Sequence, residues 1–137
     1  MVTLVCGLPG SGKTSYVKKY ICDGLCYDLD YIAGAFRLKN EHEEFHKEAR
    51  FLANEFLNGF LYFARHFSDN IFVIRTAPDL DELERINPDK IIIMRKQFDI
   101  THREDAFFAD FDEEIKISKL TDIEEYALQN KVQLEII

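Results

Sequence analysis

Residues 7–14 read "GLPGSGKT" and bring three glycines, a lysine and a threonine into eight positions. Those residue types at that spacing suit an anion with many oxygens. Glycines let the backbone wrap closely enough for successive N–H groups to point inward at negative charge. Lys13 adds a mobile cation, and Thr14 a hydroxyl that can ligate a hard divalent metal. Gly7, four residues, then Gly12, Lys13 and Thr14 is the G-x-x-x-x-G-K-[ST] pattern. In that pattern the loop cradles the phosphates of a nucleotide, the lysine reaches the outer ones and the hydroxyl sits on Mg²⁺. The expected nucleotide contacts are Gly7, Leu8, Pro9, Gly10, Ser11, Gly12, Lys13, Thr14 and Ser15, with ATP or GTP as the ligand.

A second chemical signature is "YDLD", residues 27–30. Ligands of parallel sheets sit beyond the carboxyl ends of the strands, and Asp28 and Asp30 fall at such an end. Two carboxylates beside a metal-bound triphosphate suit a division of labour. Asp28 would hold the metal through water, and Asp30 would take the proton of an attacking hydroxyl. Arg37 follows Asp30 by two helical turns and could hold an anionic group on the acceptor. Asp30 could also cap a helix starting at Tyr31, a role compatible with catalysis. Arg75 and Arg95 end two apolar runs, and Arg103 follows; these are the candidates for further phosphate or acceptor contacts. Hydrolytic nucleotide machines carry Asp-Glu at the end of such a run, to hold the metal and orient water. Here "LCYD" alone ends in an aspartate, and Leu29 stands where the glutamate would be needed.

The elements that must position these residues are legible as periodicity. "VTLVC" (2–6), "LCYD" (25–28), "IFVI" (71–74), "IIIM" (91–94) and "VQLEII" (132–137) read as five strands, most of them continuous apolar runs as expected of parallel strands covered on both faces. Helical patterns lie between them: Lys13 to about Ile21, "YIAGAFRL" after Asp30, 41–67, and a short helix bracketed by Pro78 and Pro88. In 41–67, Phe45, Ala49, Leu52, Phe56, Phe60, Phe63 and Phe67 recur at helical spacing and read as core, with Gly59 a candidate bend. Thr121 and Glu124 form a capping-box pattern opening a helix over "DIEEYALQN". Residues 95–120 are the least regular. Strand–helix alternation means an α/β fold with a mostly parallel sheet. The 137 residues, without repeat or linker, read as one domain.

"GLPGSGKT" followed at this distance by "YDLD" resembles the small P-loop kinases, such as shikimate and gluconate kinases. In that family the first aspartate of D-x-D belongs with the metal and the second with the acceptor hydroxyl. The pair is also similar to polynucleotide kinase and zeta-toxin-like proteins, where an aspartate after the second strand activates the hydroxyl and an arginine steadies the acceptor. Over its whole length the chain resembles small ATP-binding proteins of phages and prophages of Gram-positive bacteria, known as AAA-family ATPases. The resemblance implies a three-layer α/β/α sandwich of the P-loop NTPase type with a five-stranded sheet. It also implies a Mg-dependent kinase acting on a hydroxyl-bearing acceptor. The alternative is a nucleotide-binding or ATPase module whose output is conformational, accessory to a phage.

Other features narrow the field. A formal charge of −8 with no basic run argues against non-specific binding to nucleic acid. Three cysteines, an odd number, without a secretory leader fit reduced thiols in a cytoplasmic protein, and no apolar stretch has the length to cross a membrane. "HEEFH" (42–46) matches H-E-x-x-H, but Leu52 stands where a third zinc ligand would be wanted. The segment reads instead as a charged helix start, with Glu43 and Lys47 at a favourable spacing.

Overall fold

Each apolar run forms a strand, and every strand pair is parallel. The computed structural model describes residues 1–8, 10–38, 46–95 and 113–137, with side chains of the last segment described from 118 onward. Among these the chain runs β1 (Val2–Gly7), α1 (Lys13–Tyr20), β2 (Leu25–Asp28), α2 (Leu29–Ala35), α3 (Lys47–Phe67), β3 (Ile71–Arg75), α4 (Leu80–Ile86), β4 (Lys90–Met94), α5 (Glu113–Gln129) and β5 (Gln133–Ile136). The strand order is β2-β3-β1-β4-β5. This puts β1 at the centre, with Leu4 beside Val73 on one side and Ile91 on the other. The chain leaves β1 toward β2 and later returns past it to β4, so the crevice for a ligand lies beyond the carboxyl end of β1.

Successive strand residues point to opposite faces, so a strand covered on both sides must be apolar throughout. On one face Leu4, Val73, Ile91 and Ile93 pack against Leu57 and Leu61 of α3, Leu83 of α4 and Ile123 of α5. On the other face Val5, Phe72, Ile74 and Ile92 pack against Val17 of α1. The outcome is a three-layer α/β fold with a five-stranded parallel sheet, as expected. α2 rides on α3 through Leu29, Ala33, Ala49 and Ala53. No helix among the described residues is long and apolar enough to cross a membrane.

Several local expectations need correction. The phenylalanine stripe of α3 is not core. Its buried residues are Ala49, Ala53, Leu57, Leu61 and Ala64, while Leu52, Phe56, Phe63 and Phe67 are exposed. Phe60 is half-buried, its ring 4.9 Å from that of Tyr27. The separation of packed helices is set by the side chains between them. α2 lies directly on α3, and alanine-sized residues permit that approach where phenylalanines would hold the helices apart. Gly59 causes no break, and α3 continues through it. Phe45 lies outside the described residues.

Thr121 and Glu124 do not open a helix, because α5 begins at Glu113 and contains both. Leu120, Ile123 and Ala127 form the buried face that fixes α5 against the sheet. Thus 113–120, expected to be irregular, is helical, whereas 96–112 lies outside the described residues. Finally, α2 starts at Leu29 and its N-cap is Asp28 rather than Asp30. Of the "HEEFH" segment only His46 is described; its Nδ1 accepts the amide of Ala49 at 3.1 Å and so caps α3.

Candidate functional site

The site begins where β1 leaves the sheet. A Cβ on Gly7 would stand 2.5 Å from the Met94 carbonyl oxygen and 2.8 Å from Ser11 Oγ, so the loop can turn there only on a glycine. Gly12, at φ 89° and ψ 21°, takes the left-handed conformation and precedes α1 with no side-chain cap. The first amides of a helix have no intrahelical partner. With no cap they are left for an anion, which the helix dipole favours at this end. Lys13 Nζ donates to the Gly7 carbonyl at 2.8 Å and to the Leu8 carbonyl at 2.9 Å, folding back over the loop. Ser11 Oγ is buried and has no hydrogen-bond partner among the described residues. Buried hydroxyls are nearly always satisfied, and phosphate oxygens would supply what this one lacks. Gly10 takes a positive φ of 79° in the same loop. Ser15 is exposed on α1, and Pro9 lies outside the described residues.

The end of β2 supplies the carboxylates. Thr14 Oγ1 donates to Asp28 Oδ2 at 3.3 Å, joining α1 to β2. The other oxygen, Asp28 Oδ1, accepts the Asp30 amide at 3.1 Å. Burial pushes the Asp28 carboxyl above its ordinary range, and the neighbouring charge of Asp30 pushes the same way. Hydrogen bonds from the Asp30 amide and the Thr14 hydroxyl oppose both. A buried carboxylate so placed favours a cation beside it. One hydroxyl and one carboxylate are what Mg²⁺ takes from a protein when phosphates and water fill the rest of its octahedron. The residues therefore fit the metal together with a nucleotide. Among the described residues there is no cluster of three or more His, Cys, Asp or Glu to hold a metal alone.

Asp30 is the second residue of α2 and forms an ion pair with Arg50 of α3. Arg75 ends β3, and its Nε donates to Glu82 Oε2 of α4 at 2.7 Å. Lys13, Asp28, Asp30, Arg50, Arg75 and Thr76 line one cleft at the carboxyl ends of the strands. The structure thus brings together Lys13, both aspartates and Arg75, drawn from parts of the chain more than sixty residues apart. It adds Arg50, which sequence reasoning missed. Arg50 follows the Ala49 that packs on α2, so its meeting with Asp30 becomes legible only once the α2–α3 contact is known.

The remaining arginines fall elsewhere. Arg37 lies in the turn after α2 and is not among the residues that line this cleft. Arg95, just beyond β4, pairs with Glu124 of α5 and also lies outside the lining. Arg103 is outside the described residues.

A second recess of about 220 Å³ opens on the α1 side of Asp28, walled by Val17, Ile21, Cys26, Ile32 and Ile74. Burial pushes the Cys26 thiol there up to about 12, with the Asp28 charge adding to the effect.

No protein-family model matches the chain, and no curated protein matches it in sequence. Among solved structures it is similar to a shikimate kinase from Bacteroides thetaiotaomicron, with a TM-score of 0.48 and 16% identity over 100% of this chain and 85% of that one. It is also similar to a sugar kinase from Janibacter sp. HTCC2649, with a TM-score of 0.47 and 12% identity over 99% of this chain and 83% of that one.

Proposed function

We propose that the chain is a Mg-dependent phosphotransferase that moves the γ-phosphate of ATP or GTP to a hydroxyl-bearing acceptor. The observation that carries this reading is the single cleft that holds Lys13, Asp28, Asp30 and Arg50, with Thr14 hydrogen-bonded to Asp28 at its wall. The loop amides and Lys13 would bind the phosphates. Thr14 and Asp28 would hold Mg²⁺, which when bound neutralises phosphate charge as the leaving oxygen departs. Asp30, oriented by Arg50, would accept the proton of the acceptor hydroxyl, and Arg50 or Arg75 would steady an anionic acceptor. Most of the rate would come from positioning and charge stabilisation. Arginines in place of Asp-Glu at the ends of β3 and β4 weigh against a hydrolytic motor.

The test is incubation with γ-labelled ATP, Mg²⁺ and a panel of nucleosides, sugars and 5′-hydroxyl nucleic-acid ends. Label should appear on one acceptor class. Asp30→Asn should lower that transfer by at least 10²-fold while leaving nucleotide affinity within a factor of about three. Full turnover by Asp30→Asn would remove the proposed base. Label released only as free phosphate would favour the alternative, a nucleotide-driven conformational module.

A further inference from the structure

We propose that the chain pairs with a second copy of itself through the outer face of α3, the two helices lying antiparallel about a two-fold axis at Gly59–Phe60. Among the described residues four apolar side chains on that face stay largely exposed: Leu52 is 46% exposed, Phe56 59%, Phe63 61% and Phe67 82%. Their order along the helix is self-complementary. Leu52, Phe56, Gly59, Phe60, Phe63 and Phe67 are separated by 4, 3, 1, 3 and 4 positions, the same in either direction. An antiparallel partner therefore sets Phe56 against Phe63 and Leu52 against Phe67, twice over, as a two-fold interface requires. At the midpoint stands Gly59, where a Cβ would meet nothing within 4 Å. The helix thus keeps a gap where a second helix can come closest, although nothing in its own fold calls for one.

Charge and area agree with this occupant. The whole chain carries −8, yet with Arg50 paired to Asp30 of α2 the rest of α3 sets Lys47 and Arg65 against Glu48 and Glu55. The face is thus spared the self-repulsion of the rest of the molecule. Glu55 and His66 flank the stripe on one side, and the two-fold brings each near the other's counterpart. With Phe36, whose ring lies 5.8 Å from that of Phe56, the exposed apolar surface comes to roughly 600 Å² per copy, from typical aromatic areas. A stable interface takes about 800 Å² from each partner. The pairing is independent of the nucleotide reading.

Sedimentation equilibrium of the full chain tests it. The expected mass is twice 16.1 kDa in the micromolar range. Gly59→Arg should give the single-chain mass with an unchanged circular dichroism spectrum, because the added side chain meets only solvent in one copy. Gly59→Cys in a Cys22→Ser background should form a disulfide-linked dimer on mild oxidation, while Phe51→Cys, off the stripe, should not. A wild-type chain that stays at single-chain mass, a Gly59→Arg variant that remains dimeric, or cross-linking at 51 in preference to 59 would each overturn the proposal.

Discussion

Asp28 caps α2 and, in the proposed function, would hold the metal, and a single substitution can separate the two. Asparagine caps a helix about as well as aspartate, so Asp28→Asn should keep α2 and change stability by no more than about 0.5 kcal/mol. The sign of its titration agrees. A carboxyl whose folded value is raised above the unfolded one contributes stability below the unfolded value. That contribution is lost as pH rises through the folded one. Burial raises Asp28 in this sense, so its ionised form is a cost at neutral pH that the amide removes. The charge beside Thr14 is lost with it, and Mg²⁺ should no longer improve nucleotide affinity. Thermal melts at two pH values, with nucleotide titrations with and without Mg²⁺, check both halves. A large loss of stability without metal would show that the carboxylate is structural. The placement of the loop and of the two aspartates was legible in the sequence because each is a short local pattern at the end of an apolar run. Arg50 was not, because its meaning depends on a helix contact between segments twenty residues apart.

α3 shows where periodicity stops being informative. Its sequence carries apolar residues around more than half the helix, in an alanine–leucine face and an aromatic one. Hydrophobicity favours the second as core. The first was chosen by the fold because α2 must come close, and size outweighs hydrophobicity at a tight helix crossing. Leu57 is almost wholly buried, whereas Phe51 is 64% exposed. Leu57→Ala should therefore cost about 2–5 kcal/mol, with both transfer and cavity contributing. Phe51→Ala should stay within about 0.5 kcal/mol despite removing the larger side chain. Urea denaturation of the two variants measures the difference, and an inverted order would mean that α3 faces the other way. The strands raised no such ambiguity. A run such as Ile91, Ile92 and Ile93 can sit only where both sides are covered. The start of α5 at Glu113 is not legible in this way, since the capping pattern at Thr121 is short and local. The apolar face of Leu120, Ile123 and Ala127 decides the outcome through the sheet.

At the scale of the molecule, strand alternation implied a parallel sheet but not its order, because the connections permit several arrangements. The observed order places the ends of β1, β2 and β3 side by side, and this assembles the cleft. Cys6 lies in the core on one face of the sheet, and the partly buried Cys26 packs against the core on the other. Burial pushes Cys6 and Cys26 each up to about 12, against an ordinary thiol value near 8.5. Groups raised in this way contribute stability that is fully present below the unfolded value and is lost as pH rises through the folded one. Melting temperature should therefore fall between about pH 9 and 12, and a Cys26→Ser variant should lose less over that window. At neutral pH, alkylation should reach exposed Cys22 first. Mass spectrometry of modified peptides would show Cys26 and Cys6 lagging, because both remain thiols.

Nucleotide binding should also register on the whole fold. A ligand that binds only the native state stabilises it by about 2.7 kcal/mol at a hundred times its Kd. For a domain of this size that amounts to roughly 10 °C in Tm. The gain depends on groups from separate elements: amides of the β1–α1 loop, Lys13 of α1 and Asp28 of β2. Binding would therefore tie together elements from separate parts of the chain. ATP with Mg²⁺ should raise the Tm by that order, and ATP with EDTA by clearly less, since Asp28 and Thr14 are then left without their cation. Lys13→Ala should abolish most of the shift in either condition, because the cation that folds over the loop onto the Gly7 and Leu8 carbonyls is then gone. A thermal scan of the two proteins under three conditions decides the matter. Equal Tm values with and without ATP and Mg²⁺ at millimolar nucleotide would mean that the glycine loop, for all its geometry, holds no phosphate.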